Sequence, residues 1–224
     1  MPTCRIDHIA IVSPSLAAGG EFVESLLGVC PQPGGEHPRM GTHNLLLRLG
    51  DAKYLEVIAI NPESPPPSRP RWFELDRLVA GSEPRLRCWV ARTDDIRASL
   101  SQASEHLGES ESMSRGALEW SISIPRDGSL PLGGAAPALI QWNTSAHPAS
   151  RMEERGCRLV KLELLHPDPA RLSALLGSLN FAEPDGVLTV ARASAPALVA
   201  HIDTPHGLRT IGTAEPSMDQ IKHD

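Results

Sequence analysis

An α+β fold is predicted, built on a strand–helix–strand phrase that occurs three times, and three observations carry it. The first is the phrase itself: IDHIAIV runs into a helical stretch ending at Gly28, LRCWVAR into TDDIRASLSQASEHLG, and RLVKLELL into HPDPARLSALLGSL. The second is its spacing of roughly 75 to 80 residues, too long for a solenoid unit and suited to a duplicated module whose strands lie side by side. The third is composition, since 41% hydrophobic and 21% charged residues over 224 positions are those of a globular chain able to bury a core.

Each element has a local reason. After the strand Arg5 to Val12, Ser15 offers a capping hydroxyl, Leu16, Val23 and Leu26 or Leu27 share one helical face, and Gly28 stops the helix. Thr42 to Leu49 and Lys53 to Ile60 are rich in branched and aliphatic residues and read as a hairpin about Gly50-Asp51. His37 and Met40 fall in a glycine-flanked loop, Gly34-Gly35 to Gly41, expected over the mouth of a pocket. The prolines between Asn61 and Arg71 exclude helix interior and central strand and mark a linker, with Trp72 to Leu78 as a short helix or lid.

In the second phrase Thr93 or Asp94 is the expected cap, Ile96, Leu100, Ala103 and Leu107 fall at helical spacing, and Gly108 is the stop. Strands are expected at Ala117 to Ile124 and Ala138 to Asn143. In the third, Asp168 caps, Pro169 takes the first helical position and Leu172, Leu175, Leu176 and Leu179 form the apolar stripe. Strands at Val187 to Ala193 and Ala197 to Asp203 follow. The boundaries read as modules over 1–60 and 86–145, a partial third module over 146–212, a linker over 61–85 and a fraying tail over 213–224.

A net charge of −6 with scattered basic residues leaves no footprint for nucleic acid or an anionic membrane. Cys4, Cys30, Cys88 and Cys157 form no Cys-x-x-Cys pair, which fits a reducing cytoplasm. No signal-like segment opens the chain, and no apolar stretch approaches the ~20 residues that span a bilayer. Neither a nucleophile elbow nor a phosphate-binding loop is present, so hydrolase chemistry and a nucleotide cofactor are not expected.

Polar groups inside predicted strands are the candidate site. Glu56 sits mid-strand between Leu55 and Val57, where a carboxylate needs a cation, a metal or a proton to offset its desolvation. His8 lies in the opening strand, and imidazole plus carboxylate suits both a divalent metal and acid/base work. A strand histidine bonded to backbone and an edge carboxylate are the plainer alternatives. Since strand neighbours face opposite ways, Asn44 is expected inward and His43 at the rim as an acid/base candidate. Trp72, Trp89, Trp120 and Trp142 suit either an apolar pocket wall or the core, and Arg48 and Arg92 either a carboxylate clamp or solvated strand ends.

The blocks GGEHPRMGTHNLLLRLG, YLEVIAINP, RPRWFELD, WVARTDDI, MSRGALEWSISIPRDGSLP and LIQWN resemble the glyoxalase-like domain family of the vicinal oxygen chelate superfamily, over roughly residues 5 to 205. The resemblance implies paired βαβββ modules forming one curved mixed sheet around a concave pocket, with the third copy as a partial βαββ module. It also implies an ancestral divalent-metal site with ligands from the first and last strands of each module. Carried over by residue, this places ligands on His8 and Glu56, and matching Ala-Leu-Ile-Gln-Trp to Tyr-Leu-Glu-Val puts Gln141 in the place of the second carboxylate. Cys88 or Trp89 stands where the second histidine is expected, which breaks the superfamily pattern.

Two functions follow. One is a metal-assisted enzyme of lyase, isomerase or dioxygenase type acting on a small organic molecule, with His8, Glu56 and Gln141 as ligands and Glu56 or His43 moving a proton. The other is a metal-free protein that sequesters a small molecule in a pocket of Asn44, Trp72, Trp89, Trp120, Gln141 and Trp142. A second copy of the chain, as a homodimer, is the protein partner expected.

Overall fold

A computed structural model describes residues 2–79, 81–144 and 147–212. Strand β1 (Cys4–Val12), helix α1 (Leu16–Leu27) and strands β2 (Gln32–His37), β3 (Thr42–Arg48) and β4 (Tyr54–Ile60) form the first module. β5 (Arg85–Thr93), α2 (Ile96–Gln102), β6 (Glu109–Arg115), β7 (Leu118–Ile124) and β8 (Ala138–Trp142) repeat it. The two share an eight-stranded sheet in the order β2-β3-β4-β1-β5-β8-β7-β6. Within each module the first and last strands are parallel, and β1 and β5 meet antiparallel at the seam. The chain is thus the curved, paired-module α+β fold that the sequence predicts.

The third unit, β9 (Arg158–His166), α3 (Pro169–Ser178), β10 (Leu188–Arg192), β11 (Ala197–Thr204) and β12 (Gly207–Ile211), builds its own four-stranded sheet in the order β10-β9-β11-β12. Its β9 runs parallel to β10 and antiparallel to β11. These are the relations of β1 to β4 and β5, so among the described residues the unit lacks the two intermediate strands of a full module.

Helix capping follows the sequence closely at α1 and α3. The Ser15 hydroxyl accepts from Ala18 N–H, Gly28 closes α1 at φ 70°, and Asp168 accepts from Arg171 N–H ahead of Pro169. Helix α2 differs: Asp95 rather than Thr93 or Asp94 is the cap, and the helix ends at Gln102. Leu107, expected on its apolar stripe, is buried beyond its end.

Both faces of the central strands are covered, which makes β4 apolar almost throughout. Ile9, Ile11, Leu55, Val57 and Trp89 pack on the convex side against Val23 and Leu27 of α1 and Leu162, Leu164 and Leu198 of the third unit. On the concave side Ala10, Val12, Ile58, Cys88, Val90, Ile122 and Ile140 meet Met40 and the 3-10 segment Trp72–Arg77. Met40 is fully buried, and Gln32–His37 is an edge strand, so the expected glycine-rich loop over the mouth is instead part of the cup wall.

The third unit also fixes β1. Glu183 accepts a 2.7 Å hydrogen bond from Ile6 N–H and pairs with Lys53 at 2.9 Å. Ile6 adjoins a register shift in the β1–β5 ladder between Ile6 and His8, which leaves Asp7 without a β5 partner. A bulge of this kind turns neighbouring side chains out of strict alternation. Here it lets Asp7 and His8 meet.

Candidate functional site

The concave face of the eight-stranded sheet forms a cup lined by His8, His37, Asn44, Tyr54, Glu56, Trp72, Arg115, Trp120 and Trp142, among others. Strand alternation puts Tyr54, Glu56 and Ile58 inside while Leu55 and Val57 turn to the convex core. The cup leaves about 30 Å³, room for about two waters. A wider groove of about 240 Å³ lies at its mouth and shares His37 and Trp120 with it.

At the floor Asp7, with no exposed surface, receives three hydrogen bonds. His8 Nδ1 lies 2.7 Å from its Oδ1, while His147 Nε2 and Trp142 Nε1 each lie 2.9 Å from Oδ2. Burial on its own would raise the Asp7 pKa, but the bonds and charges from His147 and His8 outweigh it and hold the carboxyl well below the usual range. An ionised Asp7 only accepts, so His8 Nδ1 and His147 Nε2 both carry hydrogen. Ala149 N–H donates to His147 Nδ1, which fixes the same tautomer independently.

His8 turns its Nε2 toward Glu56 Oε2, 3.6 Å away. Tyr54 stacks on the imidazole with ring centroids 4.4 Å apart and holds its plane. The Tyr54 hydroxyl stays protonated because burial, then the nearby Asp7 and Glu56 charges, raise its pKa well above the ordinary value. The other Glu56 oxygen, Oε1, accepts from Asn44 Nδ2 at 2.5 Å. Asn44 in turn accepts from Gly35 N–H at 2.8 Å, which sets its amide orientation. A Cβ on Gly34 would sit 2.1 Å from Asn44 Oδ1, so the glycine makes room for the side chain that orients the carboxylate.

His37 is buried among these groups. Burial chiefly, countered by Glu56 and reinforced by Arg115, pushes its pKa down to about 4. Arg115 Nη1 donates toward His37 Nε2 at 3.4 Å, leaving Nδ1–H to Thr42 Oγ1 at 3.1 Å. Between pH 6.5 and 4 the unfolded chain binds a proton here that the folded chain does not, so stability falls as pH falls through that window. At about 1.4 kcal/mol per unit the loss reaches about 3 kcal/mol, and His37→Gln should remove that slope from chemical-denaturation curves. Equal slopes for the two proteins would show that His37 protonates freely in the fold.

Of the residues expected from sequence, the cup brings together His8, Asn44, Glu56, Trp72, Trp120 and Trp142. Trp89 and Gln141 are corrections, for the same geometric reason that puts His43 outside the cup. His43 neighbours the inward Asn44 and so turns outward on β3. Trp89 is fully buried in the convex core, its Nε1 donating to Ala135 O at 2.9 Å. Gln141 lies between the inward Ile140 and Trp142 and accepts from Ile96 N–H at the start of α2. Arg48 and Arg92 are likewise committed elsewhere, Arg48 to Asp51 and Arg92 to the Ile6 and Ala52 carbonyls.

His37, expected in a loop over the pocket mouth, stands in the cup itself, and Asp7, Tyr54, Arg115 and His147 are site residues that the sequence does not single out. Only the Asp7-His8 dipeptide carried a visible signal, and strict alternation argued against its side chains meeting.

These donors do not fit a four-ligand divalent site. Among the described residues no three His, Cys, Asp or Glu side chains converge on one point. His8 offers one nitrogen and Glu56 one carboxylate, while the second module presents Val90, Ile122, Ile140 and the Cys88 thiol. Burial, then Glu56, raises the Cys88 pKa well above the ordinary value, against a thiolate ligand. Gln141 faces away.

Comparison with known proteins matches residues 6–179 to the description "Glyoxalase-like domain". A hypothetical protein from Staphylococcus aureus aligns over 86% of this chain and 88% of its own, with TM-score 0.57 and 14% identity. That likeness concerns the fold alone. A methylmalonyl-CoA epimerase from Streptomyces coelicolor covers 64% of this chain and 98% of its own, with TM-score 0.43 and 19% identity, too low to carry an argument. No curated protein matches the sequence. No described helix is long and apolar enough to cross a membrane.

Proposed function

The chain belongs to the glyoxalase-like domain family, and on that premise we propose that its cup is the active site of a proton-transfer enzyme. The substrate class is a small organic molecule with an acidic C–H beside a carbonyl, and the reaction is of isomerase or lyase type. The observation that carries this reading is the facing pair His8 Nε2 and Glu56 Oε2, 3.6 Å apart in a buried cup. A carboxylate and an imidazole at that distance can hand a substrate proton from one to the other.

The roles follow from the bonds. Glu56, with Asn44 holding Oε1, keeps Oε2 directed at the cup and abstracts the proton. His8, with Nδ1–H on Asp7, accepts the proton from Glu56 and returns it to the carbanion. Asp7 offsets the imidazolium charge while staying ionised. Tyr54 supplies a protonated hydroxyl among these groups. Water is kept scarce by Trp72, Trp120 and Trp142, so the exchange occurs in a medium of low dielectric where each charge acts strongly.

Solvent-deuterium incorporation tests this. Incubated in D2O with 2-oxo acids, 2-hydroxy ketones and branched acyl thioesters, the protein should exchange the C–H of at least one class, and excess chelator should leave the rate unchanged. The apolar second half of the cup favours one other reading, sequestration without chemistry. Saturable uptake with no exchange for any member of the panel would establish that reading in place of catalysis.

A further inference from the structure

Arg115 is the one cup-lining cation, and it lacks a carboxylate partner among the described residues. Reaching from the end of β6, it touches neutral acceptors alone, Asn44 Oδ1 at 3.3 Å and His37 Nε2 at 3.4 Å. Both contacts are long for a guanidinium, which ordinarily takes a carboxylate at about 2.7 to 2.9 Å. His37, with its depressed pKa, contributes no competing positive charge at neutral pH. The side chain lies across bare backbone, since a Cβ on Gly35 would come within 2.8 Å of Arg115 Cδ. The second glycine of the Gly34-Gly35 pair therefore makes room for Arg115 as the first does for Asn44.

Two more features point to an anion. At the mouth, Arg39 and Arg69 both pair with the single carboxylate of Glu111. Arg39, which lines the mouth groove and is half exposed, thus shares its carboxylate with a second cation and can meet an arriving anion there. Within the cup, Trp72 is buried and its Nε1–H has no hydrogen-bond partner. A buried donor left without an acceptor is destabilising unless a ligand supplies one.

We propose that Arg115 is the specificity residue of the cup and selects substrates bearing a planar monocarboxylate, whose hydrophobic body rests against Trp120 in the mouth groove. The monoanion fits better than a phosphate. One guanidinium fork matches one carboxylate, and Glu56 stands one side chain away, beyond Asn44, to repel extra charge. This deepens the proton-transfer reading by naming the substrate class, but it concerns binding and is tested without turnover.

The probes are benzoate and phenylacetate with their uncharged amides, titrated by calorimetry and protein NMR at pH 7. Wild type should bind each acid at least about 10-fold more tightly than its amide, as expected of a charge-assisted pair. Arg115→Met should abolish that preference, and Arg115→Lys should keep part of it, since a lysine retains charge but not the fork. Glu56→Gln should bind the acids as well as wild type or better. Equal affinity for acid and amide, an undiminished preference in Arg115→Met with an unchanged near-UV spectrum, or no saturable binding of either acid would each overturn the proposal. None of these results bears on whether Glu56 moves a proton, so the two readings fail separately.

Discussion

Glu56→Gln is expected to lower the solvent-exchange rate by about 10²- to 10⁴-fold, the range a positioned general base contributes. The substitution suits the site because a glutamine oxygen still accepts from Asn44 Nδ2 and the side chain keeps its size, so the local geometry persists. What disappears is the carboxylate facing His8 across the 3.6 Å gap, and with it the place for the substrate's proton. The rate is read by proton NMR in D2O alongside a thermal melt. A melt close to wild type with exchange lost identifies the base, whereas exchange retained within a few-fold removes Glu56 from the chemistry. Loss of fold would not explain a selective effect, since among the described residues the Glu56 side chain makes one hydrogen bond, from Asn44, and glutamine keeps it.

The second large effect is on stability. Asp7→Ala should cost about 3 to 5 kcal/mol, the range for removing one member of a buried charged network. The donors of His8, His147 and Trp142 would be left without an acceptor in a space with no exposed surface. The pH dependence has a definite sign. Because the folded Asp7 pKa is depressed, its contribution is fully present above the ordinary carboxylate value of about 4 and is lost only as pH falls through the lower folded value. The full deficit should thus appear at pH 7 in urea midpoints and remain level up to pH 8. A deficit below about 1 kcal/mol would mean that the three donors find other partners when Asp7 is removed.

The sequence by itself determined the helices, the central strands and half of the site. Ser15, Gly28, Asp168 and Pro169 act through their own backbone neighbours, so α1 and α3 could be placed without tertiary information. β1, β4 and β5 are buried on the sheet's two faces and show it as apolar runs, and the inward turn of Asn44 followed from alternation along β3. A carboxylate at Glu56 stood out because an apolar strand has no local reason for one. The strands that escaped notice, β2, β6 and β12, all lie at sheet edges. QPGGEH, ESESMSR and GLRTI are largely exposed, hold their place by backbone ladders and carry little of the periodicity that burial imposes.

Tertiary structure alone decided the rest of the site. Gln141 and Trp89 match plausible positions in a linear alignment but stand one residue out of phase with the cup, and a single step along a strand reverses the face. Asp7 joins His8 only because the β1–β5 ladder shifts register between Ile6 and His8. His147 and Arg115 arrive from segments remote in the chain, Arg115 from the end of the edge strand β6 and His147 from the cap of the 3-10 segment Pro148–Arg151. Periodicity reports the face a residue occupies, whereas the partners it meets there depend on register and closure, which long-range pairing sets.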